Sequence, residues 1–314
     1  MQYSDTKWQP LASAGILRKR AEILRKIRTF FEQRSVLEVD VPIIGSRGVT
    51  DPYLEALTVD VNGQEHYLQT SPEYFMKRML AAGSGDIYYL GKAFRKDESG
   101  RIHHPEFTML EWYRLGFDDA RLIEEVMSLV CFLKPSIEIH QYRYETLFQR
   151  YLAINPHRCS ANDLQKLASE KLDLSWRDSD KSVWLDVLFS HFVEPKLTDG
   201  LYVVSDYPEC QSALAKTGRN ESGDLVAKRF ECFLNGVELA NGYWELSDLQ
   251  EHQRRFDSDN KIRSQKQLPA MAIDENLMAA MHHGLPECAG VALGVDRLIM
   301  ALLDLPSIAD QRSF

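Results

Sequence analysis

The chain has 314 residues, 44% hydrophobic and 26% charged, the composition of an ordinary globular enzyme able to bury one large core. Its formal net charge of -9 argues against a surface that grips nucleic-acid backbone at large, so any polyanion it handles is expected to be small. Five scattered cysteines with no CxxC pair suggest neither zinc nor a redox centre, and no apolar run has signal-peptide or membrane-spanning length; the expectation is a cytoplasmic protein with reduced thiols.

In chain order, Ile16, Leu17, Ile23, Leu24, Ile27, Phe30 and Phe31 recur at helical spacing with Lys and Arg between them, predicting an amphipathic helix capped by Ser13. A short strand over 36–41 ends at Pro42. Segments 58–62 and 65–70 form a hairpin around Asn62-Gly63, after which Pro72 opens a helix that stops at Gly83. Further strands are expected at 87–90, 107–113, 202–205, 230–235, 237–240 and 290–295. Between 134 and 200 the pattern turns mainly helical and polar, read as an insertion within a single domain spanning 1–314. Hairpins dominate the rest, so the fold class is α+β around an antiparallel sheet flanked by helices.

Four segments carry chemistry. In the first, Arg95 and Lys96 follow a strand, a loop bears Arg101, His103 and His104, and Phe107 leads a returning strand. Guanidinium on phosphate and ring on base would suit a nucleotide; a charged hairpin tip fits the same residues. In the second, Glu231 and Glu238 flank the Asn235-Gly236 turn and either converge on a hard divalent cation or sit on a solvated face. Asn241 and Glu245 follow, polar where a buried strand would be apolar. The third, Gly290 to Arg297, is a small-residue strand running into an apolar helix, where glycine suits close approach of a ligand. The fourth is Ser71-Pro72-Glu73, with Glu73 placed either for a ligand or simply for the helix N-terminus.

Together these segments resemble the class II aminoacyl-tRNA synthetases. Phe94-Arg95-Lys96-Asp97 is similar to their motif 2, Gly290 to Arg297 to their motif 3, and the long helix running into strand and Pro42 to their motif 1. Thr70-Ser71-Pro72-Glu73, the run from His103 to Tyr113, and Glu238 to Glu245 narrow the resemblance to the lysyl branch. Too few residues precede the first helix for the anticodon-binding OB-fold of that branch. The resemblance therefore points to the stand-alone paralogues that join (R)-β-lysine to a lysine of elongation factor P, without tRNA.

That resemblance implies roles. Arg95 would hold the α-phosphate and substrate carboxylate, with Phe107 and Arg297 on the two faces of adenine and His103 near the terminal phosphates. Arg95 and Arg297 are the implied catalytic groups; Lys96, Asp97, His104, Glu238, Leu239 and Gly294 would complete the ATP site, and Glu231 and Glu238 would bind Mg2+. Glu245 and Tyr113 would receive the side-chain ammonium, Ser71, Pro72 and Glu73 the other amine, and Asn241 the carboxylate, because buried ammonium groups need carboxylate partners. Three positions depart from the lysyl pattern: Asp97 stands for Glu, His104 for Asn, and Ala292 for Gly. The Ala292 methyl is predicted to disfavour α-lysine. The remaining readings are a ligase activating α-lysine for another acceptor and a non-catalytic amino-acid-binding regulator. A homodimer is expected, with Ile16, Ile23, Ile27 and Phe30 either at its interface or packed on their own sheet. Arg18, Lys19, Arg20, Arg25 and Lys26 either meet an acidic acceptor or form a solvated face.

Overall fold

The structure, a computed structural model, describes residues 8–96, 98–174 and 176–314. Helix α1 (Ala14–Glu32) starts where Ser13 accepts the Ile16 N–H. The expected strand 36–41 shrinks to β1 (Leu37–Glu38), since the chain leaves the ladder before Pro42, which has no N–H to offer. After β2 (Ile44–Gly45) comes the hairpin β3 (Thr58–Val61) and β4 (Gln64–Leu68), turned by Asn62 and Gly63 at φ 55° and 79°. Helix α2 (Glu73–Ala81) follows Pro72. Long antiparallel strands β5 (Ile87–Phe94) and β6 (Glu106–Leu115) precede α3 (Asp119–Leu133).

The 134–200 stretch holds α4 (Tyr144–Leu152), α5 (Ala161–Leu172) and α6 (Lys181–Leu188), but it opens with β7 (Ile139–Arg143), a strand not expected from the sequence. It pairs parallel to β8 (Leu201–Pro208), so the stretch is stitched into the main sheet. Short β9 (Thr217–Arg219) is followed by β10 (Leu225–Leu234) and β11 (Val237–Trp244), joined through Asn235 and Gly236 at φ 50° and 78°. Helices α7 (Leu249–Gln265) and α8 (Glu275–Gly284), strand β12 (Cys288–Gly294) and helix α9 (Val295–Leu302) complete the order.

The main sheet runs β1-β5-β6-β12-β11-β10-β8-β7, antiparallel except for the parallel pairs at its two ends, β1 with β5 and β7 with β8; β9 pairs β10 off this path. A three-stranded sheet, β2-β4-β3, lies beside it. One face of the main sheet carries the largest core, formed with α1, α3 and α9. Ile23, Ile27 and Phe30 are buried in it, so the apolar face considered for a dimer interface is covered by the chain's own sheet. Arg20 also turns inward, donating to Asp296 (2.7 Å), Gln311 (2.5 Å) and Thr108 (2.8 Å), which removes it from the solvated basic face. The helices α4 to α6 cover the sheet near β8 with a second core, and α2, α7 and α8 build a third. No helix among the described residues is long and apolar enough to cross a membrane.

Candidate active site

Strand alternation makes the site. On β12, Ala289, Val291 and Leu293 enter the main core, so Gly290, Ala292 and Gly294 face the opposite side. On β6, Leu110 and Trp112 are core, and Phe107, Glu111 and Tyr113 face the same way as those glycines. Together they floor a cavity of about 560 Å³. Gly290 is required there: a Cβ would lie 2.3 Å from the Tyr113 ring and 2.6 Å from a Glu245 oxygen. Between Cys232 and Phe233 the β10–β11 register slips, leaving Leu239 as an extra residue on β11. The bulge lets Leu239 and Ala240 both join the core while Glu238 lines the cavity.

One end of the cavity is cationic. The Arg95 guanidinium lies 5.1 Å from the Phe107 ring centre and 3.6 Å from Glu98, with its Nε donating to the Thr70 carbonyl at 3.4 Å. Opposite, Arg297 donates to the Ile102 carbonyl (3.2 Å), the Glu238 carbonyl (2.9 Å) and His103 Nε2 (2.6 Å). Burial first, and then the Arg297 charge, lower the His103 pKa, so the ring is a neutral acceptor. His104 lines the cavity but turns Nδ1 back onto the Glu106 backbone. Lys96 instead pairs with Glu55 at 2.9 Å and is not part of the cavity lining. Asp97 falls outside the described residues. Gly294 lies beside Arg297, where an added Cβ would sit 3.6 Å from its side chain.

The other end is acidic and more deeply buried, with Lys77 and Glu245 enclosed and Glu73 half-buried. Ser71 donates to Glu111 (2.6 Å) and accepts the Glu73 N–H (3.1 Å), while Tyr113 donates to Glu111 (2.8 Å). Lys77, one turn along α2 and fully buried, bridges Glu73 at 2.6 Å and Glu245 at 2.7 Å. Burial opposes its charge, but the two carboxylates outweigh that and hold its pKa above the ordinary value. Burial, with the Glu73 charge next, lifts Glu111 to about 8. Pro72 caps α2 behind this wall and is not in the lining. Ala292 pairs in register with Glu111 on one side and Asn241 on the other, and the Asn241 side-chain Oδ1 accepts from Arg229 at 3.2 Å.

A family model described as tRNA synthetases class II (D, K and N) matches residues 3–314. The chain is also 44% identical to the elongation factor P--(R)-beta-lysine ligase of Pectobacterium carotovorum subsp. carotovorum (strain PC1), over 98% of this chain and 97% of that protein. The Photorhabdus laumondii protein of the same description is 44% identical and that of Enterobacter sp. (strain 638) 43%, each with the same coverage. The chain belongs to the class II tRNA synthetase family.

As a class II synthetase-like chain it keeps both carboxylates considered for a metal, unequally placed. Glu238 faces the cavity, 3.5 Å from Arg297. Glu231, paired with Asn241 in register, accepts from Tyr207 (2.6 Å) and Arg229 (2.5 Å) and is absent from the lining. Burial chiefly, with repulsion from Glu238 added against the pull of Arg229, raises the Glu231 pKa. Hard oxygen donors that repel one another fit a divalent cation, which would relieve that repulsion. Three residues of the site went unassigned from sequence. Lys77 stands i+4 from Glu73, a spacing that predicts an ion pair, and Glu111 stands two residues from Tyr113 on the same strand face. Arg229 carries no such signal.

Proposed function

We propose that the chain activates (R)-β-lysine with ATP and transfers it to a lysine of elongation factor P. The observation that carries this reading is one cavity with a cationic end, Arg95, Phe107 and Arg297, and an acidic end built from half-buried Glu73 and buried Glu111 and Glu245. ATP suits the first and an amino acid with two ammonium groups suits the second.

In the first step a substrate carboxylate oxygen attacks the α-phosphorus, the bond to pyrophosphate breaks, and an aminoacyl-adenylate forms. Arg95 bridges the two reacting anions and offsets their repulsion, while Phe107 stacks on the base. Arg297, fixed by four acceptors, holds the far side of the nucleotide. Mg2+ held by Glu238 and Glu231 would supply charge neutralisation at the phosphates. In the second step the neutral amine of the acceptor lysine attacks the adenylate carbonyl, AMP leaves, and the amine proton goes to solvent as the amide forms. Roles in ATP binding for Lys96, Asp97, His104, Leu239 and Gly294, and in substrate binding for Ser71, Pro72, Tyr113, Asn241 and Ala292, belong to the same proposal.

The net charge of -9 supports a protein acceptor over tRNA, and the proposal includes cytoplasmic action. It also includes a homodimer, for which exposed Leu37, Ile43 and Ile44 offer apolar surface in place of the buried α1 face. The test is ATP-pyrophosphate exchange with (R)-β-lysine and α-lysine side by side, then transfer to elongation factor P with tRNA(Lys) as competitor. β-Lysine preference and a mass gain on the factor are expected; α-lysine preference without factor modification would overturn the reading.

A further inference from the structure

Lys77 has no contact with solvent and both its ionic partners are carboxylates of the acidic end. A buried ammonium is costly, and a well-packed apolar side chain of similar length serves stability at least as well. Its presence among Met76, Leu80 and the rest of the α2 core therefore calls for a reason other than packing. The reason lies in charge count. Glu73, Glu111 and Glu245 are three carboxylates on one wall, Lys77 is one ammonium, and the difference is two formal negative charges when all are ionised. Without Lys77 the wall would carry three against a diamino acid's two, leaving one buried carboxylate unmatched.

We infer that Lys77 is a positioning residue that fixes Glu73 and Glu245 and sets the formal charge of the amino-acid end to match a substrate bearing two ammonium groups. It does so without touching substrate. Lys77 holds the two carboxylates 2.6 and 2.7 Å from its Nζ, so each presents its remaining oxygen surface in one orientation. The substrate then meets a preformed site and does not compete for mobile carboxylates. This inference rests on the reading of the cavity as the amino-acid site.

The experiment is a charge cycle read at about pH 9, above the value near 8 to which burial lifts Glu111, by ATP-pyrophosphate exchange with (R)-β-lysine: wild type, Lys77→Met, Glu111→Gln, and the double variant, whose formal charges are two, three, one and two negative. Thermal melts and the KM for ATP are measured alongside. Each single change is expected to raise the amino-acid KM roughly tenfold or more with the ATP KM nearly unmoved, and the double variant is expected to lose far less than the product of the two. Losses that multiply, or a Lys77→Met KM equal to wild type, overturn the inference. If Lys77→Met fails to fold, the double variant decides: a folded protein with KM within about tenfold of wild type supports charge matching, and its misfolding overturns it. A wild-type chain that activates no diamino acid overturns the functional reading as well, whereas an active wild type with an indifferent Lys77 overturns this inference alone.

Discussion

The two ends of the cavity are built on opposite principles. At the cationic end, proposed to hold the nucleotide, the charges are partly solvated, with Arg95 and Arg297 side chains 25% and 19% exposed, and they are steered by backbone carbonyls and a neutral His103. At the acidic end Lys77 and Glu245 are 0% and 2% exposed while Glu73 is 22% exposed, and every group is held by another charged or hydroxylic side chain. The partly open end suits a ligand that brings its own counter-ions and must leave as pyrophosphate and AMP. At the acidic end the enclosed charges are expensive unless the substrate neutralises them, which turns burial into selectivity.

Replacing Arg95 is the strongest way to break the contrast. Arg95→Ala removes the one guanidinium placed over Phe107, and loss of a preorganised charge at the reacting centre costs on the order of 10²–10³ in kcat. Because Arg95 is proposed to hold the substrate carboxylate while both ammonium groups go to the acidic end, binding of the diamino acid, followed by calorimetry, is expected to weaken but persist. Loss of both together would show that the ends are not separate.

pH sharpens the difference next. In the ligand-free protein Glu111 faces Glu73, Glu245, Ser71 and Tyr113 and titrates near 8, so below that it carries a proton that two incoming ammonium groups must displace. Burial lifts Glu245 to about 7 as well, so KM for the diamino substrate is expected to fall by about tenfold per unit between about pH 7 and 8 and more steeply below 7. The stability of the empty protein runs the other way. A carboxyl whose folded pKa lies above its unfolded value stabilises fully below the unfolded value and loses that contribution as pH climbs through the folded one. Asp186 and Asp259, each lifted by burial to about 6, add the same sign, whereas His252, lowered by burial to about 4, opposes them below its ordinary value of 6.5. Melting temperature without ligand should therefore decline between about pH 5 and 8 and recover in part with saturating (R)-β-lysine; a flat profile would deny Glu111 its proton.

Glu245→Gln acts on the acidic end alone. It leaves Lys77 with Glu73 as its only carboxylate, so KM for the amino acid is expected to rise roughly tenfold and the melting temperature to fall, with KM for ATP unchanged. An equal rise in both constants would mean that the two ends communicate.

The same contrast explains what could be read from sequence. The nucleotide end lies on local signals: Arg95 at a strand end, Phe107 leading the next strand, and glycines in β12 before Arg297, all recognisable within a few residues. The hairpins at Asn62-Gly63 and Asn235-Gly236 were legible for the same reason, since two-residue turns with positive φ demand those residues. The acidic end was only half legible. Glu73 stands out at a helix N-terminus and Glu245 as a polar residue where a strand would be apolar, but Lys77 reads as an ordinary helix-surface lysine until α2 is seen to turn it inward. Arg20 misled in the same way, because its partner Asp296 lies 276 residues away. Strand β7 was missed because it pairs in parallel with β8 across the helices that separate them, a long-range contact with no local turn to announce it.

The smallest expected effect concerns the floor shared by both ends. Ala292 stands between Glu111 and Asn241 in the β6–β12–β11 register, so its methyl is the nearest uncharged feature to the carboxylates that would receive the amines. Moving the amine from the β to the α carbon changes where an ammonium must lie by about one methylene, a difference usually worth roughly 1–3 kcal/mol to a shaped pocket. Ala292→Gly removes one carbon from the floor and is expected to shift the kcat/KM ratio of β- to α-lysine towards α-lysine by roughly tenfold or less, without moving the ATP constants. Competition between the two isomers in pyrophosphate exchange measures that ratio directly. If the ratio stays put, the floor does not choose the isomer, and discrimination passes to the carboxylates that Lys77 holds in place.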